Sequence, residues 1–210
     1  MRQGWRTVAS SVALLLASRA ASSESPGGEA GLSPRAKRGA YLVQLGGCND
    51  CHTPWKLDPQ LKVPAPDMSR MLSGHPADAP DPAGHHSGQD MGVIGPTFTS
   101  FSMPFGVVYS PNLTPDHDTG LGTWTEKMFF TAMRKGRHLG APSARPIFPP
   151  MPWPNLRHLS DEDLRAIFVY LRSIPAIRNP VPDSKVPEPV IEQMTASANA
   201  LDRSSAGLPK

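Results

Sequence analysis

Apolar positions recur at helical spacing in three stretches of the chain. The clearest is 161–172, where Leu164, Ile167, Phe168 and Leu171 fall at i, i+3, i+4 and i+7, one buried face of a helix. Ser160 is placed to cap it, Asp161, Glu162 and Asp163 sit in the first turn where the helix dipole favours acids, and Pro175 follows the end. A second helix is predicted from Trp124 to Arg134, with Thr123 and Glu126 as a capping box and Gly136 as its stop. A third opens at Ser33-Pro34, runs through Ala40 and Val43, and ends at Gly46-Gly47.

Between these helices the pattern fails. Residues 53–122 show no sustained helical or strand period, which predicts a long irregular insert with a short hairpin around Phe98 to Tyr109. The 25 prolines and 18 glycines of the 210 residues agree with extended, loop-rich connections around a small helical core. Beyond Arg178 the chain is Pro-rich and then polar, which predicts a tail.

The N-terminus has its own pattern. Arg2 and Arg6 precede an apolar run, Val8 to Ala17, and small residues follow, with cleavage expected near Ala20 to Ser23. That is the layout of a secretory signal. The run is shorter than the ~20 residues that span a bilayer, so no lasting membrane span is expected after cleavage, the alternative being an uncleaved anchor. The organisation expected is signal peptide 1–23, linker 24–33, one domain 34–178 and a tail 179–210.

Charge then changes meaning. The whole chain carries 21 Lys+Arg against 18 Asp+Glu. Removing Arg2, Arg6 and Arg19 with the signal leaves the two signs equal, so the basic balance argues for no nucleic-acid partner. Charge is nevertheless segregated. Lys127, Arg134, Lys135, Arg137 and Arg145 occur without an acid among them, whereas 56–118 holds seven Asp and three basic residues. A basic docking patch for an acidic protein, or an ordinary solvated face, would both fit.

The candidate chemistry lies at Cys48-Asn49-Asp50-Cys51-His52, the C-x-x-C-H signature of covalent haem attachment. Two thiols on one tight turn reach two vinyl groups on one edge of a porphyrin, and the next residue turns its imidazole onto the iron. A thioredoxin-like pair would want a βαβ context, zinc would want four ligands, and a Cys48–Cys51 disulfide would be short and strained. One covalent haem c with His52 as axial ligand is therefore expected.

The second axial ligand is less determined. Met68, Met71, Met91, Met103, Met128, Met133, Met151 and Met194 are the methionines after the signal. Met151 stands in Pro149-Pro150-Met151-Pro152-Trp153, whose prolines stiffen the backbone, and it is the favoured candidate. His75, His85 and His86 are the alternatives, with His138 and His158 behind them.

Several motifs together resemble class I c-type cytochromes, in particular single-haem periplasmic cytochromes c of bacterial dehydrogenase chains. They are Gly39 to Val43, Gly47 to Pro54, Asn112 to Asp116 with Thr119 to Thr125, and Pro149 to Trp153 ahead of Leu159 to Leu164. The resemblance implies an all-α class I cytochrome c fold, here with a long irregular insert and Pro-rich loops, in which Gly39 lets the first and last helices approach near Phe168 or Tyr170. It implies Met151 as distal ligand, and Asn112, Trp124 and Trp153 beside the haem or its propionates.

The expected function is electron transfer in the periplasm between partners such as a dehydrogenase and a terminal oxidase. No paired carboxylates beside a His and no nucleophile with its base occur in the motifs, so no enzyme activity is expected. The rivals are a haem enzyme or ligand sensor with an open sixth site, and a haem subunit of a dehydrogenase complex.

Overall fold

The computed structural model describes residues 31–82 and 92–203. The signal segment, most of the linker, His85, His86 and Met91 lie outside the described residues.

Helix α1 spans Pro34–Leu45, with Ser33 accepting a hydrogen bond from Ala36 N as its cap and Pro34 in the first turn. Its end at Gly46 leads within two residues into α2, the single turn Cys48–His52. Helix α3 spans Glu126–Lys135 and stops at Gly136, whose φ of 61° is left-handed. Its cap is Thr125, which accepts from Met128 N, and not Thr123 as the sequence pattern suggested. Only Thr123 has a Glu three residues on, but the hydrogen bond of Trp124 N to Leu121 O holds the chain in a turn until Thr125. Helix α4 is the short Trp153–Leu156, and α5 spans Asp161–Leu171 with Ser160 as cap.

Helix α5 packs along α1, and the core gathers around that contact: Val43, Leu72, Leu121, Phe129, Leu164, Phe168, Leu171 and Ile174. Gly39 is where the two helices touch. A Cβ there would collide with the carbonyl of Ala166 and lie 2.7 Å from Tyr170 Cβ. A bare glycine thus sets the distance between the helices.

The insert is not wholly irregular, so all-α describes the helical core but not the whole fold. Strands β1 (Trp55–Leu57) and β2 (Pro64–Pro66) form one antiparallel hairpin. Strands β3 (Val93–Ile94), β4 (Ser100–Met103) and β5 (Gly106–Tyr109) form a second antiparallel sheet in that order. The β4–β5 hairpin falls where the sequence suggested one. The others escape a period-2 search because they are two or three residues long, and two prolines stand in β2.

The segment beyond Arg178, expected as a tail, carries helix α6, Glu188–Arg203, packed against α3. Val190, Ile191, Met194, Ala198 and Leu201 supply its apolar spacing, and Ala198 is buried. Ahead of α6, Lys185 pairs with Val107 on the edge of β5, and Asn179 is buried. Among the described residues no helix is long and apolar enough to cross a membrane.

Gly39→Ala should force α1 and α5 apart, costing about 1–3 kcal/mol of stability. Thermal unfolding of the purified protein should show the melting temperature lowered by about 3–10 °C. An unchanged melting temperature would mean that the contact is not as tight as described.

Candidate functional site

Helix α2 begins at Gly47, whose φ of 65° is left-handed, and a Cβ there would lie 2.9 Å from Asp50 Oδ2. That turn delivers Cys48, Cys51 and His52 on a single helical turn. Both cysteines are free and half-buried. Burial pushes the Cys48 thiol up to about 11, and burial with the neighbouring Asp50 charge also raises Cys51. At neutral pH both therefore stay protonated, which suits neither a thiolate nucleophile nor a thiolate metal ligand in the free chain.

His52 is 5% exposed. Its Nδ1 donates to the Pro111 carbonyl at 2.9 Å, since a carbonyl can only accept. The proton is thereby fixed on Nδ1, and Nε2 keeps its lone pair. Burial lowers the His52 pKa, against a smaller opposing effect of the Pro111 bond. The imidazole is held neutral, as a metal ligand must be.

The surroundings of His52 are pinned by buried polar side chains. Thr53 is fully buried; its Oγ1 donates to Asn49 Oδ1 at 2.8 Å and accepts from Leu72 N at 2.9 Å. Gly74 N donates to the His52 carbonyl and His75 N to the Ser110 carbonyl, while Leu113 N donates to Leu72 O. Asn179 Nδ2 donates to the carbonyls of Ser73 and His75. The sequence offered no direct signal for Pro111 or Asn179. Thr53 follows the C-x-x-C-H motif immediately and could have been singled out by that position.

Several candidates change role. His75 is fully buried, and its N–H donates to the carbonyl of Ser110, which follows β5 and precedes Pro111. His75 Nδ1 is engaged with Thr99, and its buried Nε2 has no partner among the described residues. Asn112 is also committed. Its Oδ1 accepts from Thr114 N and Oγ1, and its Nδ2 donates to Ile177 O and Thr119 Oγ1, which clamps two loops and leaves nothing for a propionate. Trp124 packs half-buried against the core, and Trp153 is buried.

Met151 belongs to a different part of the fold, between α3 and α4. It is half-buried, and its N–H donates to the carbonyl of the buried Phe148. The loop before it is tied back by the hydrogen bond of Ile147 N to Gly136 O and by the pairing of Arg137 with Pro146. Among the other methionines, Met71 and Met133 pack against the core and Met68 is exposed. Met71 adjoins Leu72, on the segment bonded to Thr53.

The basic run is partly paired. Arg134 pairs with Asp161 at 2.7 Å, Lys135 with Asp202 at 3.4 Å, and Arg137 is buried with its guanidinium on Asn199 and Ala144. Arg145 lies over Phe148, 4.4 Å from the ring centroid. Lys127 and Lys135 are the exposed members of the set. Acids from α5 and α6 thus offset two of the five charges, those of Arg134 and Lys135.

The donor set fits a haem c. Two free thiols, a neutral imidazole with a fixed tautomer, and an apolar core reaching Cys48 are what covalent attachment and axial ligation require. A family model described as Cytochrome c matches residues 36–175. The cytochrome c subunit of a quinone alcohol dehydrogenase from Gluconobacter oxydans (strain 621H) is 30% identical over 191 residues, covering 89% of this chain and 31% of the relative. The gluconate 2-dehydrogenase cytochrome c subunit of Pantoea cypripedii is 27% identical over 155 residues, 73% of this chain and 26% of the relative. The fructose dehydrogenase cytochrome subunit of Gluconobacter japonicus is 30% identical over 106 residues, 50% of this chain and 21% of the relative. The chain thus spans less than a third of the length of these relatives.

Thr53→Val should leave the buried Leu72 N–H without an acceptor and cost about 1–3 kcal/mol. Denaturant unfolding followed by fluorescence would measure it, and Thr53→Ser, which keeps the hydroxyl, should lose less. Equal stabilities for the Val and Ser variants would show that the hydroxyl does not hold Leu72.

Proposed function

This chain belongs to the cytochrome c family, and on that premise we propose that it is a periplasmic one-haem electron carrier working with a dehydrogenase. Covalent haem c is the cofactor the family implies. When bound, it supplies a one-electron couple at iron. The observation that carries the proposal is the hydrogen bond of His52 Nδ1 to Pro111 O, on the turn that also bears Cys48 and Cys51.

Cys48 and Cys51 would hold the haem edge through thioethers, and His52 Nε2 would ligate the iron. The Pro111 carbonyl orients the imidazole and makes it a better donor. Met151 would supply the opposite ligand from its proline-stiffened loop. Two support points speak for it: Met71 belongs to the His52 side, and Met68 faces solvent. A thioether favours reduced iron, and a dry pocket disfavours the extra charge of oxidised iron, so the potential should lie above that of a bis-His site. Fixed ligands on both sides let iron change charge without moving, which suits transfer rather than catalysis.

The partners follow from the relatives, whose names describe cytochrome subunits of dehydrogenases. A dehydrogenase as donor and a terminal oxidase as final acceptor complete the scheme, with the N-terminal segment serving as the export signal.

Two measurements check the cofactor and its ligands. On a denaturing gel, the exported protein should stain for haem, and replacing both Cys48 and Cys51 should abolish the stain; haem lost on denaturation contradicts covalent attachment. Met151→Ala should remove the near-infrared sulfur-to-iron band, turn the ferric spectrum high-spin or water-ligated, and admit carbon monoxide to the ferrous form. The Ala variants of Met68, Met71 and Met103 should keep the band. If Met151→Ala keeps it and one of the others loses it, that other methionine is the ligand.

A further inference from the structure

Asn179 is 2% exposed and lies just beyond residues 36–175, the span of the family match. Its side chain is engaged at both ends. Nδ2 donates to the carbonyls of Ser73 at 2.7 Å and His75 at 2.8 Å, and Oδ1 accepts from Ala77 N at 3.2 Å. No other donor reaches either of those carbonyls among the described residues. The Asn179 N–H donates to Thr119 Oγ1 at 2.9 Å, and the same hydroxyl accepts from Asn112 Nδ2. One residue thus joins two segments distant in sequence, 73–77 and 112–119.

The two carbonyls held by Asn179 flank Gly74, and Gly74 meets the surroundings of His52 twice. Its N–H donates to the His52 carbonyl at 2.8 Å. Its Cα packs on the peptide that holds the imidazole, where a Cβ would lie 2.5 Å from Ser110 O and 2.7 Å from Pro111 O. Its φ of 76° is left-handed, so both the space and the backbone require glycine. The Pro111 carbonyl therefore meets His52 Nδ1 and also the backbone of Gly74.

We infer that Asn179 is a positioning residue for the axial imidazole. Its amide locks Ser73 to His75 in place, Gly74 backs the Pro111 carbonyl, and that carbonyl sets the strength of the bond from His52 Nδ1. This rests on the haem assignment made above and deepens it.

The consequence is a lower reduction potential. A firm bond from Nδ1–H to a carbonyl makes the imidazole a stronger donor, which favours oxidised iron. Loosening the lock weakens that bond and raises the potential. Water admitted to the iron would act with the opposite sign, because it favours the added charge of the oxidised state. The sign of the change separates positioning from mere opening of the fold.

The test uses the purified, haem-loaded protein as wild type, Asn179→Leu, Asn179→Ser and Asn199→Ala. Midpoint potential is measured at fixed pH, and solvent exchange of the His52 Nδ1 proton is followed by NMR in the ferrous protein. Asn179→Leu has a similar shape and no donor. Its potential should rise, and its Nδ1 proton should exchange about tenfold faster, as the loss of two ordinary hydrogen bonds implies. Asn179→Ser keeps one proton to donate and should fall between. Asn199→Ala removes the acceptor of Arg137 on α6 and is the control for stability; it should lower the melting temperature and move neither readout. Wild-type potential and exchange in Asn179→Leu would overturn the proposal, as would a lowered potential or an equal change in Asn199→Ala. If Asn179→Leu takes up no haem, wild-type values in Asn179→Ser overturn it equally. A wild-type chain with no haem on the denaturing gel would overturn the haem assignment and this proposal together, whereas haem-loaded wild type with unmoved variants overturns the role of Asn179 alone.

Discussion

The 2.9 Å hydrogen bond from His52 Nδ1 to the Pro111 carbonyl ties one ring nitrogen to the backbone and leaves Nε2, the proposed iron ligand, with its lone pair. For that to work, a carbonyl 59 residues away in sequence must be held still. The insert accomplishes this with paired backbone segments. Residues 72–75 and 110–113 bond to each other, and the first also bonds to Thr53 and to the His52 carbonyl. Asn112, beside Pro111, is anchored by four hydrogen bonds of its own. Irregular backbone of this kind is rigid because its polar groups are satisfied, and rigidity around His52 would keep reorganisation small in the proposed electron transfer.

The C-terminal segment belongs to the same construction. Asn179 joins the carbonyls of Ser73 and His75 to the end of the helical core, and Lys185 pairs with Val107 at the edge of the small sheet and with Asp81. Helix α6 then lies on α3, where Asn199 receives Arg137 and Asp202 receives Lys135. One stretch of chain beyond the family match thus braces both the His52 side and the loop that leads to Met151.

Electrostatics follow a similar logic. Exposed pairs such as Arg38 with Asp163 and Arg165 with Glu126 contribute little individually. Their effect is to offset charge locally, as Asp161 and Asp202 do for Arg134 and Lys135. Arg157 stands apart because its charge is buried and unpaired among the described residues.

The sequence by itself determined whatever depends on neighbours along the chain. Cys48, Cys51 and His52 share one turn, Ser33 and Ser160 cap their helices, Gly136 ends α3, and the i, i+3, i+4 spacing marks the buried face of α5; each is local geometry that a string of residues encodes directly. The resemblance carried further, to the packing of Gly39 on α5. Tertiary structure alone decided the rest. Thr125 prevailed over Thr123 because a turn at Trp124 delayed the helix. β1, β2 and β3 exist because partner segments complete hydrogen bonds that two- or three-residue strands cannot advertise. Helix α6 stands where prolines suggested a tail. His75 meets Thr99 and Ser110, and Arg134 and Lys135 meet acids of α5 and α6, through contacts that the local pattern does not record. Local pattern records which conformations a segment favours, but which donor meets which acceptor across the fold is settled only when the chain has closed.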